Sequence, residues 1–166
     1  MTASLRRTDA SLRRATAADV PVIHALLCAM AGSEGGAIKG TPDTLLIHGF
    51  GPAPRFRVIL ATGDQPLGLI LYFPEYSTWR GQLGLYVQDL YLHPAARGMG
   101  LGRALMAAAV RDATDDPQWQ PQFVTLMVAQ KNHPARAFYT TLGFATRHTA
   151  DPLILAGEGL AALIAR

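Results

Sequence analysis

The chain has 166 residues, 49% of them hydrophobic and 16% charged, which suits one globular domain with a sizeable core and excludes a disordered chain. The formal charge of +3 is mild, and no run of about 18 apolar residues is present to span a membrane. Two Arg-Arg repeats, Ser4-Leu5-Arg6-Arg7 and Ser11-Leu12-Arg13-Arg14, hold much of the charge; they read as solvated ends, not as a nucleic-acid arm.

Residues 1–10 read as a flexible leader and residues 11–166 as the domain. Leu12 to Ala15 is a short strand. Thr16 then caps a helix to about Ala31, with Asp19 in its first turn. Within it Cys28, the only cysteine, excludes an intramolecular disulfide and reads as core filler. A Gly-rich loop spans Gly32 to Gly40, and Thr41-Pro42 opens a second helix that stops near Gly49. Phe56 to Leu60 is a strand and Gly63-Asp64 a turn. Leu67 to Phe73 is the next strand, followed by a loop through Tyr76 to Gly81 and a long strand from Leu83 to Leu92. A glycine cluster leads into a helix over Leu101 to Ala113. Phe123 to Val128 is a buried-type strand, Pro134 to Leu142 a short helix, and Thr146 to Leu155 a final strand. The histidines are scattered and none stands at metal-ligand spacing with Cys or acids, so no metal is expected. Strands and helices mix in one α/β domain.

The stretch Asp89-Leu90-Tyr91-Leu92-His93-Pro94-Ala95-Ala96-Arg97-Gly98-Met99-Gly100-Leu101-Gly102-Arg103-Ala104 carries the strongest chemical signal. A strand runs into three glycines at alternate positions, and a helix starts among them. The first turn of a helix leaves amide N–H groups without intrahelical acceptors and is the positive end of the dipole, so it holds phosphate. Glycines let phosphate oxygens approach the backbone, and Arg97 and Arg103 can add charge-assisted bonds. The spacing is Gly-x-Gly-x-Gly, not the Gly-x-Gly-x-x-Gly of a dinucleotide fold, and the Gly-Lys-Ser/Thr of a P-loop is absent.

Arg97-x-x-Gly100-x-Gly102 after the Asp89-Leu90-Tyr91-Leu92 strand resembles the coenzyme-A signature of the GNAT superfamily of N-acetyltransferases. Asn132-His133-Pro134-Ala135-Arg136-Ala137-Phe138-Tyr139 with Leu142-Gly143-Phe144 resembles its second signature, and Arg14-Ala15-Thr16-Ala17-Ala18-Asp19 its opening. Tyr76-Ser77-Thr78-Trp79-Arg80-Gly81, Leu85 to Tyr91 and Ile47 to Gly51 look like the diamine (spermidine/spermine) branch.

The resemblance implies a single GNAT-like α/β domain with a mixed, mostly antiparallel sheet, splayed at a coenzyme cleft and flanked by helices. It implies acetyl-CoA as co-substrate, a primary amine of a small molecule or amino acid as acceptor and a homodimer; the composition points to a cytoplasmic protein with no nucleic-acid or membrane partner. Backbone groups of Leu90, Tyr91 and Leu92 would hold the pantetheine arm, with an N–H near Leu90 polarising the thioester carbonyl. Arg97, Gly98, Met99, Gly100, Leu101, Gly102, Arg103 and Ala104 would hold the pyrophosphate. Asn132 would add a pantetheine contact. Tyr139 would supply the departing thiolate with a proton. Tyr76, Trp79, Gln88 and Asp89 would contact the acceptor.

The chain departs from the branch at the general base, where the expected glutamate is Gln88. An amide cannot take the proton but can hold a water that relays it, which keeps Gln88, with Tyr139, as the expected catalytic pair. Strict alternation puts Asp89 on the opposite strand face, unless a bulge intervenes. Glu75 and His93 are further candidates, neither preferred. The loop Gly32 to Gly40 has one acid and one base, which predicts a small or singly charged amine over a polycation. The apolar tail Leu153 to Ile164 would form the dimer contact or pack on its own core. The alternative function is an acyl-CoA-binding module that has lost catalysis.

Overall fold

The computed structural model of the protein describes residues 10–146. The chain divides into two compact units, Met1–Met127 and Val128–Arg166. The expected leader, the strand after Thr146 and the apolar tail lie outside the described residues.

The first unit is built on a five-stranded sheet in the order β1-β2-β3-β4-β5. Its strands are β1 (Ser11–Arg14), β2 (Arg57–Thr62), β3 (Pro66–Ser77), β4 (Gln82–Leu92) and β5 (Val124–Leu126). The first four pair antiparallel with their neighbours, and β5 runs parallel to β4. The unit also holds α1 (Val20–Ser33), α2 (Pro42–Phe50) and α3 (Leu101–Thr114), and the second unit holds α4 (His133–Thr141).

Each helix of the first unit that follows a loop starts where the sequence supplies a local signal. Thr16 and Asp19 form a capping box over the single 3-10 turn before α1. Arg13 grips the Asp19 carboxylate with two bonds of 2.8 and 2.6 Å, which hold it well below the usual carboxylate range. Thr41 accepts from the Thr44 amide at the start of α2.

The two faces of the sheet bury different partners. Val58, Leu60, Leu69, Leu71 and Tyr91 share one face and pack with Ile23, Leu26 and Leu27 of α1. Burying each such side chain contributes roughly 1.5–3 kcal/mol. Tyr72, one residue along β3, faces the other way and donates its hydroxyl to Asp112 of α3 at 2.7 Å. Arg57 binds Asp112 at 3.1 Å and also Asp116, and lies over the ring of Trp119. Trp119 stacks on Tyr72 and donates its indole N–H to the Gly84 carbonyl at 2.9 Å. This polar cluster fixes α3 against the sheet, and with it the loop that precedes α3.

Two strands differ in length from the sequence reading. β3 continues to Ser77 because it pairs with β4 as far as Ser77↔Gln82. Pro74 is accommodated because β2 stops at the Arg57↔Tyr72 pair, so β3 is an edge strand there. β5 is only three residues long, paired from Leu85↔Val124 to Val87↔Leu126. β4 runs on beyond that pairing to Leu92.

β3 and β4 approach closely near that far end. A Cβ on Gly68 would lie 2.3 Å from the Tyr91 carbonyl oxygen and 2.7 Å from Leu92 Cδ2. Gly68→Ala is therefore expected to push β4 outward and lower stability by about 1–3 kcal/mol, read as a lower urea midpoint with an unchanged m-value.

Candidate functional site

The site is built from β4 and the turn into α3. In β4, Asp89 pairs with Leu71 but Val87 pairs with Tyr72, so one residue, Gln88, has no partner in the register. This is a β-bulge, and it re-aims everything beyond it. Residues directly opposite on antiparallel strands share a face. Tyr86 pairs with Phe73, Asp89 with Leu71 and Tyr91 with Leu69, which puts Tyr86, Asp89 and Tyr91 on the α1 face. Strict alternation would have placed Tyr86 with Gln88. Gln88 is exposed, whereas Asp89, opposite Leu71, is partly buried on the face that carries the Tyr86–Phe73 ring stack.

Burial raises the Asp89 carboxyl to about 6, and the like charge of Glu34, at the end of α1, pushes in the same direction. Among the described residues no hydrogen-bond donor and no cation partners the Asp89 carboxylate. Asp19, Asp112 and Asp116 are by contrast all held by arginines. On the same face Glu75 of β3 accepts a hydrogen bond from Thr125 of β5. Tyr86 lies within reach of both acids: burial raises its hydroxyl, and the charges of Glu75 and Asp89 add to the rise. The sheet thus supplies acids that the Gly32 to Gly40 loop does not.

The glycine stretch comes directly after β4. His93 ends the strand and its Nδ1 accepts from the Ala95 amide at 3.3 Å, starting the turn Pro94–Ala96. Arg97 ties back through Nε to the Leu92 carbonyl at 3.2 Å. Gly98 and Gly100 then adopt φ of 78° and 79°, a left-handed conformation that side chains with a Cβ disfavour. Two such turns in three residues carry the chain sharply into α3. The first intrahelical bond runs from the Ala104 amide to the Gly100 carbonyl, so the amides of Leu101 and Gly102 precede it and point out of the helix start. Leu101 and Gly102 are buried, while Gly98, Gly100 and Arg97 are exposed. A glycine turn, two helix-start amides and a nearby guanidinium suit a pyrophosphate. Tyr91 is buried in the core, which leaves its backbone, not its ring, for a ligand. Leu90 and Leu92 are half-buried on the opposite face.

In the second unit, Asn132 caps α4, its Oδ1 accepting from the Ala135 amide at 3.2 Å. Tyr139 is half-buried, its ring centroid 5.2 Å from Phe138 and 5.6 Å from Phe144. The remaining residues expected at the acceptor, Tyr76 and Trp79, stand at the tip of the β3–β4 hairpin, 61% and 98% exposed. Tyr76 is five residues along β3 from Leu71, roughly 16 Å at the usual strand rise, and on the face opposite Asp89. The structure therefore brings Asp89, Tyr86, Glu75 and Glu34 to one side and leaves Tyr76 and Trp79 apart from them. Tyr86 was missed in the sequence because it reads as one more strand aromatic, and Glu34 because it sits in an otherwise acid-poor loop.

Among the described residues no group of His, Cys, Asp and Glu could hold a metal, and no helix is long and apolar enough to cross a membrane.

Residues 31–144 match the sequence profile of the Acetyltransferase (GNAT) family. The chain belongs to the GNAT family. Among GNAT relatives, a human spermidine/spermine N(1)-acetyltransferase-like protein 1 is 31% identical over 105 residues, 57% of this chain and 15% of that protein. A Bos taurus thialysine N-epsilon-acetyltransferase is 30% identical over 115 residues, 64% of this chain and 65% of that protein. The chain thus spans less than two thirds of these relatives. Among solved structures, an integron cassette protein from the mobile metagenome of V. cholerae superposes with a TM-score of 0.77 at 20% identity, covering 95% of this chain and 99% of that one. The expected GNAT-like α/β fold, with its mixed and mostly antiparallel open sheet, is the observed one.

The raised Asp89 pKa has a thermodynamic consequence for this GNAT domain. The unfolded carboxyl titrates near 3.9 and the folded one at about 6, so the folded state holds the proton more tightly. Wild-type stability falls as pH rises through this window, by about 3 kcal/mol once both states are ionised. Asp89→Asn removes the buried charge at nearly constant shape. Its urea midpoint is expected to exceed wild type at pH 8 and to equal it at pH 3.5; a difference that persists unchanged at pH 3.5 would assign the effect to packing.

Proposed function

We propose that the protein transfers the acetyl group of acetyl-CoA to the primary amine of a small molecule. The observation that supports this best is the glycine turn at the end of β4. Gly98 and Gly100 at positive φ open a 14-residue helix whose first amides face outward, beside Arg97. In this reading Arg97 to Ala104 hold the pyrophosphate and backbone groups of Leu90, Tyr91 and Leu92 the pantetheine arm. Asn132 adds a contact while capping α4. Tyr139 gives a proton to the thiolate as it leaves.

The acceptor is a terminal primary amine. The two relatives are named for spermidine and spermine and for the Nε of thialysine, amines that end an alkyl chain. Such an amine attacks only as the free base. With a lysine-like pKa near 10.4, the free base at pH 7 lies about 4–5 kcal/mol above the ammonium, and its nitrogen sheds one more proton as the amide forms, which the site needs a group to receive. Gln88 and Asp89 stand at the reacting end of the acceptor. Tyr76 and Trp79, out on the hairpin, reach only a long acceptor. A homodimer and a cytoplasmic location complete the proposal; light scattering at micromolar concentration is expected to give twice the chain mass.

Acetyl-CoA is expected to raise the melting temperature by mass action on the native state, and free CoA to appear when an amine panel is added. Gly100→Asp sets a negative charge against the phosphates and should abolish the thermal shift. Gly100→Asn carries the same bulk at the same positive φ without the charge, and should retain part of it. A thermal shift without CoA release from any amine would favour the alternative, an acyl-CoA-binding module. Tyr139→Phe keeps the ring packed and removes only the hydroxyl. Its kcat should fall while acetyl-CoA affinity stays within about twofold, measured by isothermal titration beside steady-state kinetics.

A further inference from the structure

We infer that Asp89 is the general base of this acetyl transfer, placed on the acceptor's side of the sheet by the bulge at Gln88. This rests on the acetyltransferase reading above and assigns the one role that reading leaves open. Gln88 cannot fill it: a carboxamide has no basic site near neutral pH, and here it is the surplus residue of the bulge, exposed to solvent.

Three features of Asp89 fit the role. The first is direction. One extra residue in β4 turns its side chain to the face that carries Tyr86, next to Leu71. The second is position. β5 stops pairing at Val87↔Leu126, so Asp89 lies at the start of the stretch of β4 that no longer pairs with β5. That stretch leads directly to the coenzyme turn. The third is availability. A carboxylate locked to a guanidinium is a poor proton acceptor, as at Asp19, Asp112 and Asp116. Among the described residues no donor and no cation reaches Asp89.

The charged and titratable groups around it are Glu34 from the end of α1, Tyr86 on β4 and, beyond Tyr86, Glu75 on β3. All are acidic or neutral. Burial first, and then the like charge of Glu34, favour the protonated form of Asp89 and bring its pKa to about 6, closer to working pH than an ordinary aspartate. A base matched in this way is more effective than one far below the operating pH.

Atoms and charges balance across the step. The acceptor sheds its ammonium proton to solvent and attacks as R–NH2. The N–C bond forms as the C–S bond breaks, the nitrogen gives one proton to the Asp89 carboxylate, and the thiolate takes one from Tyr139. Asp89 then releases its proton to water and Tyr139 regains one. Amine and thioester become amide and thiol, with no oxidant or reductant involved.

The test is the pH profile of kcat/KM with lysine, thialysine and spermidine as probes. Amine ionisation alone gives a slope of one in log kcat/KM below the amine pKa. A required base adds a second unit of slope below about 6. Wild type is expected to show this steepening. Asp89→Asn should lose it and lose about 10²–10⁴-fold in kcat, with acetyl-CoA affinity unchanged. Asp89→Glu, which keeps a carboxylate, should recover the steep limb and part of the rate. A folded Asp89→Asn variant that keeps full kcat, or keeps the steep limb, overturns the assignment while leaving the acetyltransferase standing. Acetylation of none of the probes by wild type overturns the activity itself, and this inference with it.

Discussion

A single surplus residue in β4 organises the candidate site. β3 and β4 pair in register from Ser77↔Gln82 to Tyr72↔Val87 and again from Leu71↔Asp89 to Gly68↔Leu92. The two stretches are both regular, but they are out of phase by one residue. A phase shift of one exchanges the faces of every side chain beyond it. Without it, Asp89 would face α3, where Tyr72, Asp112 and Arg57 already form a closed polar cluster. With it, Asp89 faces α1 and carries no such partner. The same shift aims Tyr91 into the core with Leu69 and α1, so the bulge is held in place by packing on both sides of it.

A carboxylate in that position works against stability. Burial disfavours its charge, and Glu34 disfavours it further. The structure offsets this with the apolar layer formed by α1, β2 and β3, and with the separate salt-bridged layer around Asp112. The two faces divide the work: one carries compensated charges that fix α3 and the glycine turn before it, the other an uncompensated one. Buried titratable groups without partners cluster at functional sites for this reason.

Much of the architecture was legible in the sequence. Caps at Thr16 and Thr41, Pro42 at the start of α2, and the glycine run before Leu101 each act locally, so local reading located them. β3 was underestimated because its last residues, Pro74 among them, are held by pairing with β4, which no local propensity reports. β5 was overestimated because the apolar run from Phe123 to Val128 reads as a buried strand, whereas only Val124 to Leu126 pair with β4, the run is half-buried and Met127 is exposed. The bulge was hidden from a rule of strict alternation, yet the sequence does carry it. The apolar residues of β4 fall at Leu85 and Val87 and then at Leu90 and Leu92, a step of three in a pattern of twos. All four pair with even-numbered residues of β3 and share the α3 face. Glu34 and Tyr86 could not be found this way, since their place near Asp89 depends on how α1 and the strands pack.

The two tryptophans of the chain occupy opposite extremes. Trp119 is 3% exposed, stacked on Tyr72 beneath the Arg57 guanidinium, whereas Trp79 is 98% exposed on the hairpin tip. Their fluorescence should therefore separate into a blue-shifted component shielded from acrylamide and a red-shifted one that is quenched freely. The first reports on whether α3 is seated on the sheet, and the second on whether anything covers the hairpin. The chain thus carries two intrinsic optical probes, one for the integrity of the scaffold and one for occupancy of its outermost loop, with no label added.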